Sequence, residues 1–169
     1  MIKEPVMIKI AEIYNKRKLL GWERLPSGNP DFLYRGQALE VKGSDSDFNR
    51  ALRQFSNYAR RYSTLKVMFP VDFLYNSSRV FKFNLLYKSI LVLEDKTISL
   101  ILVSEESEFY YLKEFIPSQL LNEISHKIAN QKEGMPQILS HLKSYMLDAL
   151  TKICKDKPDM IIHKSDVQL

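Results

Sequence analysis

Three side chains with complementary chemistry lie close together early in the chain. Asp31 follows a proline, and Glu40 and Lys42 are two positions apart in the mainly apolar segment ALEVKG. Residues two apart in a strand point to the same face, about 6.5–7 Å from each other. A hairpin turn at Arg35-Gly36 would make the preceding strand antiparallel and bring Asp31 toward the same point. We therefore expect two carboxylates and one ammonium group to converge.

Such a cluster has the groups needed to hydrolyse a phosphodiester. Two neighbouring carboxylates repel each other, and a site that keeps both ionised usually also holds a divalent cation. Magnesium takes one or two carboxylates with water and phosphate oxygens, so Asp31, Glu40 and the main-chain carbonyl of Val41 would supply its protein ligands. Lys42 would orient or deprotonate a water, or stabilise charge that develops on phosphorus. Because an acid and a lysine two apart are also common on exposed edge strands, the neighbouring elements must decide.

The first 75 residues contain the elements that would position this cluster. An amphipathic helix is predicted over 5–19, because Met7, Ile10, Ala11 and Tyr14 recur at helical spacing. Gly21 is expected to end it. Three short strands, a second helix and a fourth strand are predicted at 22–26, 30–35, 37–42, 48–62 and 64–71. The second helix has an apolar stripe formed by Phe48, Leu52, Phe55, Ala59 and Tyr62.

The rest of the chain is predicted to add a hairpin and two helices to this core. Strand-like segments lie at 80–87, 89–94 and 97–104, and Asp95-Lys96 is the expected turn between the last two. Helices are predicted from Pro117 to about Ala129 and from Gln137 to about Cys154, followed by a frayed tail. We therefore divide the chain into a core at 1–78 and a β-hairpin and helical extension at 79–169, for dimerisation or for holding DNA.

The segment PDFLYRGQALEVKG resembles the signature of the PD-(D/E)XK nuclease superfamily. Pro30-Asp31 matches its Pro-Asp, and Glu40-Val41-Lys42 matches its (D/E)-x-K. The resemblance implies an α/β, restriction-endonuclease-like core with the order α-β-β-β-α-β and a mixed sheet flanked by helices. It also implies a DNA endonuclease dependent on Mg²⁺ or Mn²⁺. Asp31 and Glu40 would bind the metal, and Lys42 would be the catalytic lysine.

Two further features follow from the same resemblance. Members often carry another acid on the first helix, for which Glu12 is the first candidate and Glu23 the second. The segment GWERLPSGNPDFL is similar to archaeal Holliday-junction resolvases, which have a basic residue and a Ser/Gly turn before the Pro-Asp. Arg24 and Ser27-Gly28 occupy those places, and we expect Arg24 and Ser27 to contact DNA.

The second helix also resembles RecB-like nucleases. Gln54 and Tyr58 match their Gln-x-x-x-Tyr motif, and positions four apart lie on one helix face. Arg50 and Arg61 are predicted to share that face and to contact phosphate, although ordinary surface packing would explain the same spacing. Many RecB-like exonucleases hold a cysteine-bound iron–sulfur cluster, which the single Cys154 cannot supply.

The composition limits the partners. A formal net charge of +5 suits a polyanion such as DNA, and the longest apolar runs are far shorter than the roughly 20 residues of a membrane span. The first residues lack the uninterrupted apolar core of a signal peptide. One cysteine excludes an internal disulfide, so we expect a cytoplasmic protein that does not bind membranes.

Three functional hypotheses remain. The first is a metal-dependent DNA endonuclease, acting on branched DNA if the resolvase similarity extends to substrate. Resolving a junction requires two opposed active sites, and therefore a symmetric homodimer. The second is a non-catalytic nucleic-acid-binding or assembly module built on a nuclease-like core. The third is a surface of basic helices that binds another protein.

Overall fold

The computed structural model describes residues 1–75, 97–129 and 142–168, in which a seven-stranded mixed sheet is flanked by helices. In chain order the elements are α1 (Glu4–Lys18), β1 (Glu23–Arg24), β2 (Phe32–Tyr34), β3 (Gln37–Val41), α2 (Phe48–Arg61), β4 (Thr64–Pro70), β5 (Ile98–Glu106), β6 (Phe109–Phe115), α3 (Pro117–Ala129), α4 (Leu142–Asp156) and β7 (Met160–His163). Short 3-10 turns follow β4 and β7.

The strands are arranged in the sheet in their chain order. β1, β2 and β3 form an antiparallel meander, β3, β4 and β5 are parallel, and β6 and β7 return antiparallel. The parallel pair β3 and β4 is joined through α2, as a parallel connection requires. The α/β class is therefore confirmed, and the elements of the first 75 residues occur in the predicted order.

Both faces of the sheet are buried, each under its own helices. Ala38, Leu65 and Val67 pack on one face with residues of α2, α3 and α4. Leu39 and Met68 pack on the other with residues of α1. Side chains alternate between the two cores along β3, β4 and β5, because successive residues of a strand point to opposite faces. A strand covered on both sides is apolar at almost every position, which makes a charged residue there informative.

The helix α2 begins at a side-chain cap. The carboxylate of Asp47 accepts a 2.7 Å hydrogen bond from the main-chain N–H of Arg50. The buried stripe differs from the predicted one, because Tyr58 is only 5% exposed whereas Tyr62 is half-buried. A tyrosine can pack its ring in a core and still direct its hydroxyl to a polar site.

The predicted boundary near residue 78 does not divide the sheet. β5 pairs with β4 from Leu65 opposite Ile98 to Pro70 opposite Val103, so strands from both halves form one sheet. The described hairpin joins β5 to β6 through a turn at Ser107, whose φ is 51°. The predicted strands at 80–87 and 89–94, the turn at Asp95-Lys96 and the first residues of the helix predicted from Gln137 lie outside the described residues.

The expectation of a frayed tail is wrong. Met160–His163 pairs with β6 as the last strand of the sheet, and Ile162 is fully buried. The polar residues on both sides hide this strand in the sequence, because it is stabilised by β6 rather than by local preference. Within the described ranges, none of the helices combines the length and apolar character needed to cross a membrane.

Two neighbouring isoleucines test the place of β7 in the fold. We expect Ile162→Ala to lower the free energy of unfolding by about 2–5 kcal/mol, because it leaves a cavity in the core. Ile161→Ala is the matched control, since Ile161 is 47% exposed, and should cost less than about 1 kcal/mol. Urea denaturation measures both. Equally small effects would show that β7 adds nothing to the core.

Candidate functional site

Asp31 and Glu40 face each other across the hairpin of β2 and β3. The strands pair with Phe32 opposite Leu39, and the same register continued by one residue places Asp31 opposite Glu40. Both are buried, with exposed fractions of 3% and 2%. Asp31 Oδ2 accepts a 2.8 Å hydrogen bond from the main-chain N–H of Val41, which fixes the aspartate against the strand that carries Glu40.

The carboxyl group of Glu40 is poorly compensated. Its Oε2 is buried and has no hydrogen-bond partner in the structure. Burial, and after it the neighbouring carboxyl of Asp31, hold the pKa of Glu40 well above its ordinary value of 4.5, while Lys42 acts in the opposite direction without offsetting them. A buried carboxylate with a like charge beside it is unfavourable unless a cation or a proton neutralises it.

Lys42 is held by a series of hydrogen bonds that passes through two residues of α2. Its Nζ donates to Gln54 Oε1 at 2.6 Å, and Gln54 Nε2 donates to the hydroxyl of Tyr58 at 3.0 Å. That hydroxyl in turn donates to Asn29 Oδ1 at 3.2 Å. Burial, and then the charge of Glu40, raise the pKa of Tyr58. The structure thus brings Gln54 and Tyr58 to the cluster, and adds Asn29, which no sequence motif indicated.

Arg24 contacts Asp31 and also stabilises the loop that precedes β2. Its Nη1 donates to the main-chain oxygen of Asp31 at 3.0 Å and lies 3.3 Å from Asp31 Oδ1. The same nitrogen donates to Leu25 O at 3.1 Å, so the guanidinium closes the loop that leads into β2. Ser27 is exposed in this loop. Gly28 follows it with a φ of 72°, a conformation that favours glycine.

Glu4, which the sequence analysis did not consider, lies near the cluster. It is an exposed residue in the first turn of α1, and partial burial of its carboxyl, and then the charge of Asp31, raise its pKa, while Lys42 lowers it. Gly43 makes this approach possible: a Cβ added to it would lie 2.5 Å from the main-chain nitrogen of Glu4. In the sequence, this contact could have been suspected from the glycine directly after Lys42 and the acid at the start of α1.

The two acids proposed from the family resemblance lie elsewhere. Glu12 is exposed and pairs with Lys9 at 3.6 Å, and it is eight residues after Glu4, about 12 Å along the helix. The buried stripe of α1 faces the sheet, so Glu12 is left on the solvent side. Glu23 is exposed in the short edge strand β1. The structure does not bring either of them to the pair of Asp31 and Glu40.

Asp31 and Glu40 form a pair of carboxylates rather than part of a larger ligand group in the described residues. In residues 1–75, 97–129 and 142–168, no group of three or more Asp, Glu, His or Cys side chains is arranged to hold a metal ion. A cation bound here would therefore take its protein ligands from Asp31, Glu40 and a main-chain oxygen, for which Val41 remains the prediction. Two carboxylates with water and phosphate oxygens match the usual surroundings of Mg²⁺.

Comparisons of the chain with protein-family models, with curated proteins and with solved structures found no match.

A metal-free stability measurement tests the cost of holding Glu40. We expect Glu40→Gln to raise the free energy of unfolding in EDTA at pH 8 by about 1–3 kcal/mol, because the amide is neutral in the folded and the unfolded chain, so that folding no longer requires a carboxylate to take up a proton, and because it can donate to Asp31. The raised folded pKa means that wild-type stability falls as pH rises above 4.5, so the advantage of the variant should shrink toward that pH. Glu12→Gln, at an exposed site, is the control. A variant less stable than wild type at pH 8 would contradict this account.

Proposed function

We propose that this chain is a divalent-metal-dependent DNA endonuclease with a restriction-endonuclease-like core of the PD-(D/E)XK kind. The observation that carries the proposal is the buried pair of Asp31 and Glu40, with an unpartnered carboxylate oxygen and a hydrogen-bonded lysine two residues later. The surrounding elements support it: α1, a meander of three strands, α2 and then a parallel β4 follow the order expected of such a core.

The donor set fits Mg²⁺ or Mn²⁺. Asp31 and Glu40 provide carboxylate oxygens, the carbonyl of Val41 would provide a third, and the orphaned Oε2 of Glu40 is an acceptor without a donor. When bound, the ion supplies Lewis-acid polarisation of the phosphate and a more acidic water. The two carboxylates supply its binding site, and their mutual repulsion disfavours leaving that site without a cation.

Lys42 acts beside the scissile phosphate in this proposal. Its ammonium group stabilises the negative charge that increases on the phosphate oxygens in the transition state. Gln54 accepts from Lys42 and is itself fixed by Tyr58, so these two residues position the lysine rather than react. Asn29 accepts a hydrogen bond from Tyr58 and so connects this series of hydrogen bonds to the loop before Asp31. The lysine and the aspartate are therefore held in one network.

Four further residues are proposed to bind DNA around the cut. Arg24 and Ser27 lie in the loop beside Asp31, and Arg50 and Arg61 are exposed on α2. The three arginines would neutralise phosphates and the hydroxyl of Ser27 would hydrogen-bond one, which sets affinity and position on the DNA. Branched DNA is the substrate that the resolvase similarity favours. A dimer able to cut a four-way junction better than its component duplex would support that choice.

One observation favours the alternative of a non-catalytic nucleic-acid-binding module. Since no three-ligand group is present in the described part of the chain, Asp31 and Glu40 could instead share a proton as a structural pair. That alternative predicts salt-sensitive DNA binding without any thermal shift on adding Mg²⁺ or Mn²⁺.

Cleavage of DNA is the direct test. We expect Asp31→Asn, Glu40→Gln and Lys42→Ala each to reduce the rate of metal-dependent cleavage by about 100-fold or more, because each removes a metal ligand or the charge beside the phosphate. Linear, single-stranded, flapped and four-way DNA are assayed with Mg²⁺ and with Mn²⁺. Lys16→Ala, an exposed charge change on α1, is the control. If the wild-type protein cuts none of these substrates with either metal, the enzymatic proposal fails.

Substitutions of the two acids of α1, Glu4 and Glu12, should affect cleavage differently. Glu4→Gln should lower the cleavage rate by less than Glu40→Gln does, because Glu4 is exposed and influences Asp31 and Lys42 only through its charge. Glu12→Gln should leave the rate unchanged, because that side chain is exposed and its ion pair among the described residues is with Lys9. Both variants keep the helix, so circular dichroism should not distinguish them. Loss of activity in Glu12→Gln alone would reverse the assignment.

A further inference from the structure

The exposed face of α2 carries positive charge without compensation. Four arginines, Arg50, Arg53, Arg60 and Arg61, are exposed on this helix, and no Asp or Glu occurs between residues 48 and 61. None of the four makes an ion pair with the described residues. By contrast, Lys9 and Arg17 of α1 both pair with acids. Unpaired arginines beside a candidate nuclease site are suited to phosphate binding.

These arginines form two pairs separated by a neutral middle. Arg50 and Arg53 lie near the start of α2, and Arg60 and Arg61 form its last two residues. The midpoints of the pairs are nine residues apart, which corresponds to about 13 Å along the helix axis. The six residues between them carry no charge, and Asn57 is exposed near the centre. The helix therefore offers two positive ends and an uncharged, hydrogen-bonding middle.

The minor groove of a DNA duplex has the complementary pattern. It is about 6 Å wide between its walls, so the phosphorus atoms on its two rims lie roughly 12 Å apart once the phosphates' own thickness is added. Its floor presents hydrogen-bond acceptors, with a donor at each guanine amino group, and no phosphate. Along one strand the charges recur about every 3.4 Å of axis, so a strand running parallel to α2 would also place phosphates opposite the neutral middle. Crossing a groove avoids that mismatch.

We propose that α2 binds across the minor groove of a DNA duplex. The pair Arg50 and Arg53 binds phosphates of one strand, Arg60 and Arg61 bind the other, and Asn57 faces the groove floor. This inference rests on the proposed function and specifies its substrate as a duplex segment. Because Lys42 is hydrogen-bonded to Gln54, one turn after Arg50, the strand held by the first pair is the one that is cut.

Salt dependence of binding tests the crossing geometry. A 20-base-pair duplex and the matching single strand are titrated in EDTA by fluorescence anisotropy, at several salt concentrations. We expect Arg60→Gln/Arg61→Gln to lower the slope of log K against log salt by about 1.8 for the duplex, because two phosphate contacts are lost, and to leave the single-strand slope unchanged. Arg50→Gln/Arg53→Gln should lower both slopes. Lys16→Gln/Lys152→Gln removes the same charge elsewhere on the exposed surface and is the control.

Two results would overturn the inference. An equal loss of slope for duplex and single strand in Arg60→Gln/Arg61→Gln would show that α2 follows one strand. A duplex slope no lower than that of the control would show that α2 does not bind DNA. The cleavage assay separates the binding of α2 across the groove from the proposed function. Binding through α2 without metal-dependent cleavage would refute only the nuclease activity. Cleavage together with DNA binding that does not depend on α2 would refute only the proposal that α2 crosses the minor groove.

Discussion

Two carboxyl groups, those of Asp31 and Glu40, lie buried opposite each other where β2 begins and β3 ends. Taking a charge out of water is costly, and placing a second like charge beside it adds to the cost. The Val41 N–H and Arg24 offset this for Asp31, but Glu40 keeps an oxygen without a partner. Keeping these two carboxyl groups buried together lowers the stability of the folded protein, as is common at functional sites.

The rest of the structure holds the segment after Glu40 in place. Ser44 exchanges main-chain and side-chain hydrogen bonds with Ile2, at 2.8 Å each, and its hydroxyl donates to Asp72 at 2.6 Å. The chain that follows Lys42 is thereby fixed between the segment before α1 and the turn after β4. Gly43, which a Cβ would force away from α1, allows that close packing. The main chain of Glu4 therefore lies directly against Gly43.

The local patterns of the sequence predicted most of the first half of the chain, because its elements are set by periodicity and turns. The turn at Arg35-Gly36 predicted the antiparallel hairpin of β2 and β3 and the approach of Asp31 to Glu40 and Lys42, whereas the pairing of Asp31 directly opposite Glu40 comes from the register in the structure. Glu4 could not be found in this way, because its place depends on how α1 packs against a strand distant in sequence. The same limit explains β7: its four residues gain their stability from β6, to which no local pattern points.

The central claim is that the pair of Asp31 and Glu40 is a cation site, and crystallography with manganese tests it most directly. Crystals of the wild-type protein soaked in tens of millimolar Mn²⁺, measured on the high-energy side of the manganese absorption edge, give an anomalous difference map that locates the metal without reference to activity. The account predicts a strong peak between the two carboxylates, with a main-chain oxygen of the Glu40–Lys42 strand as a further ligand. A map without a peak there, with the two carboxyl groups still in contact, would show a proton-sharing pair and contradict the account.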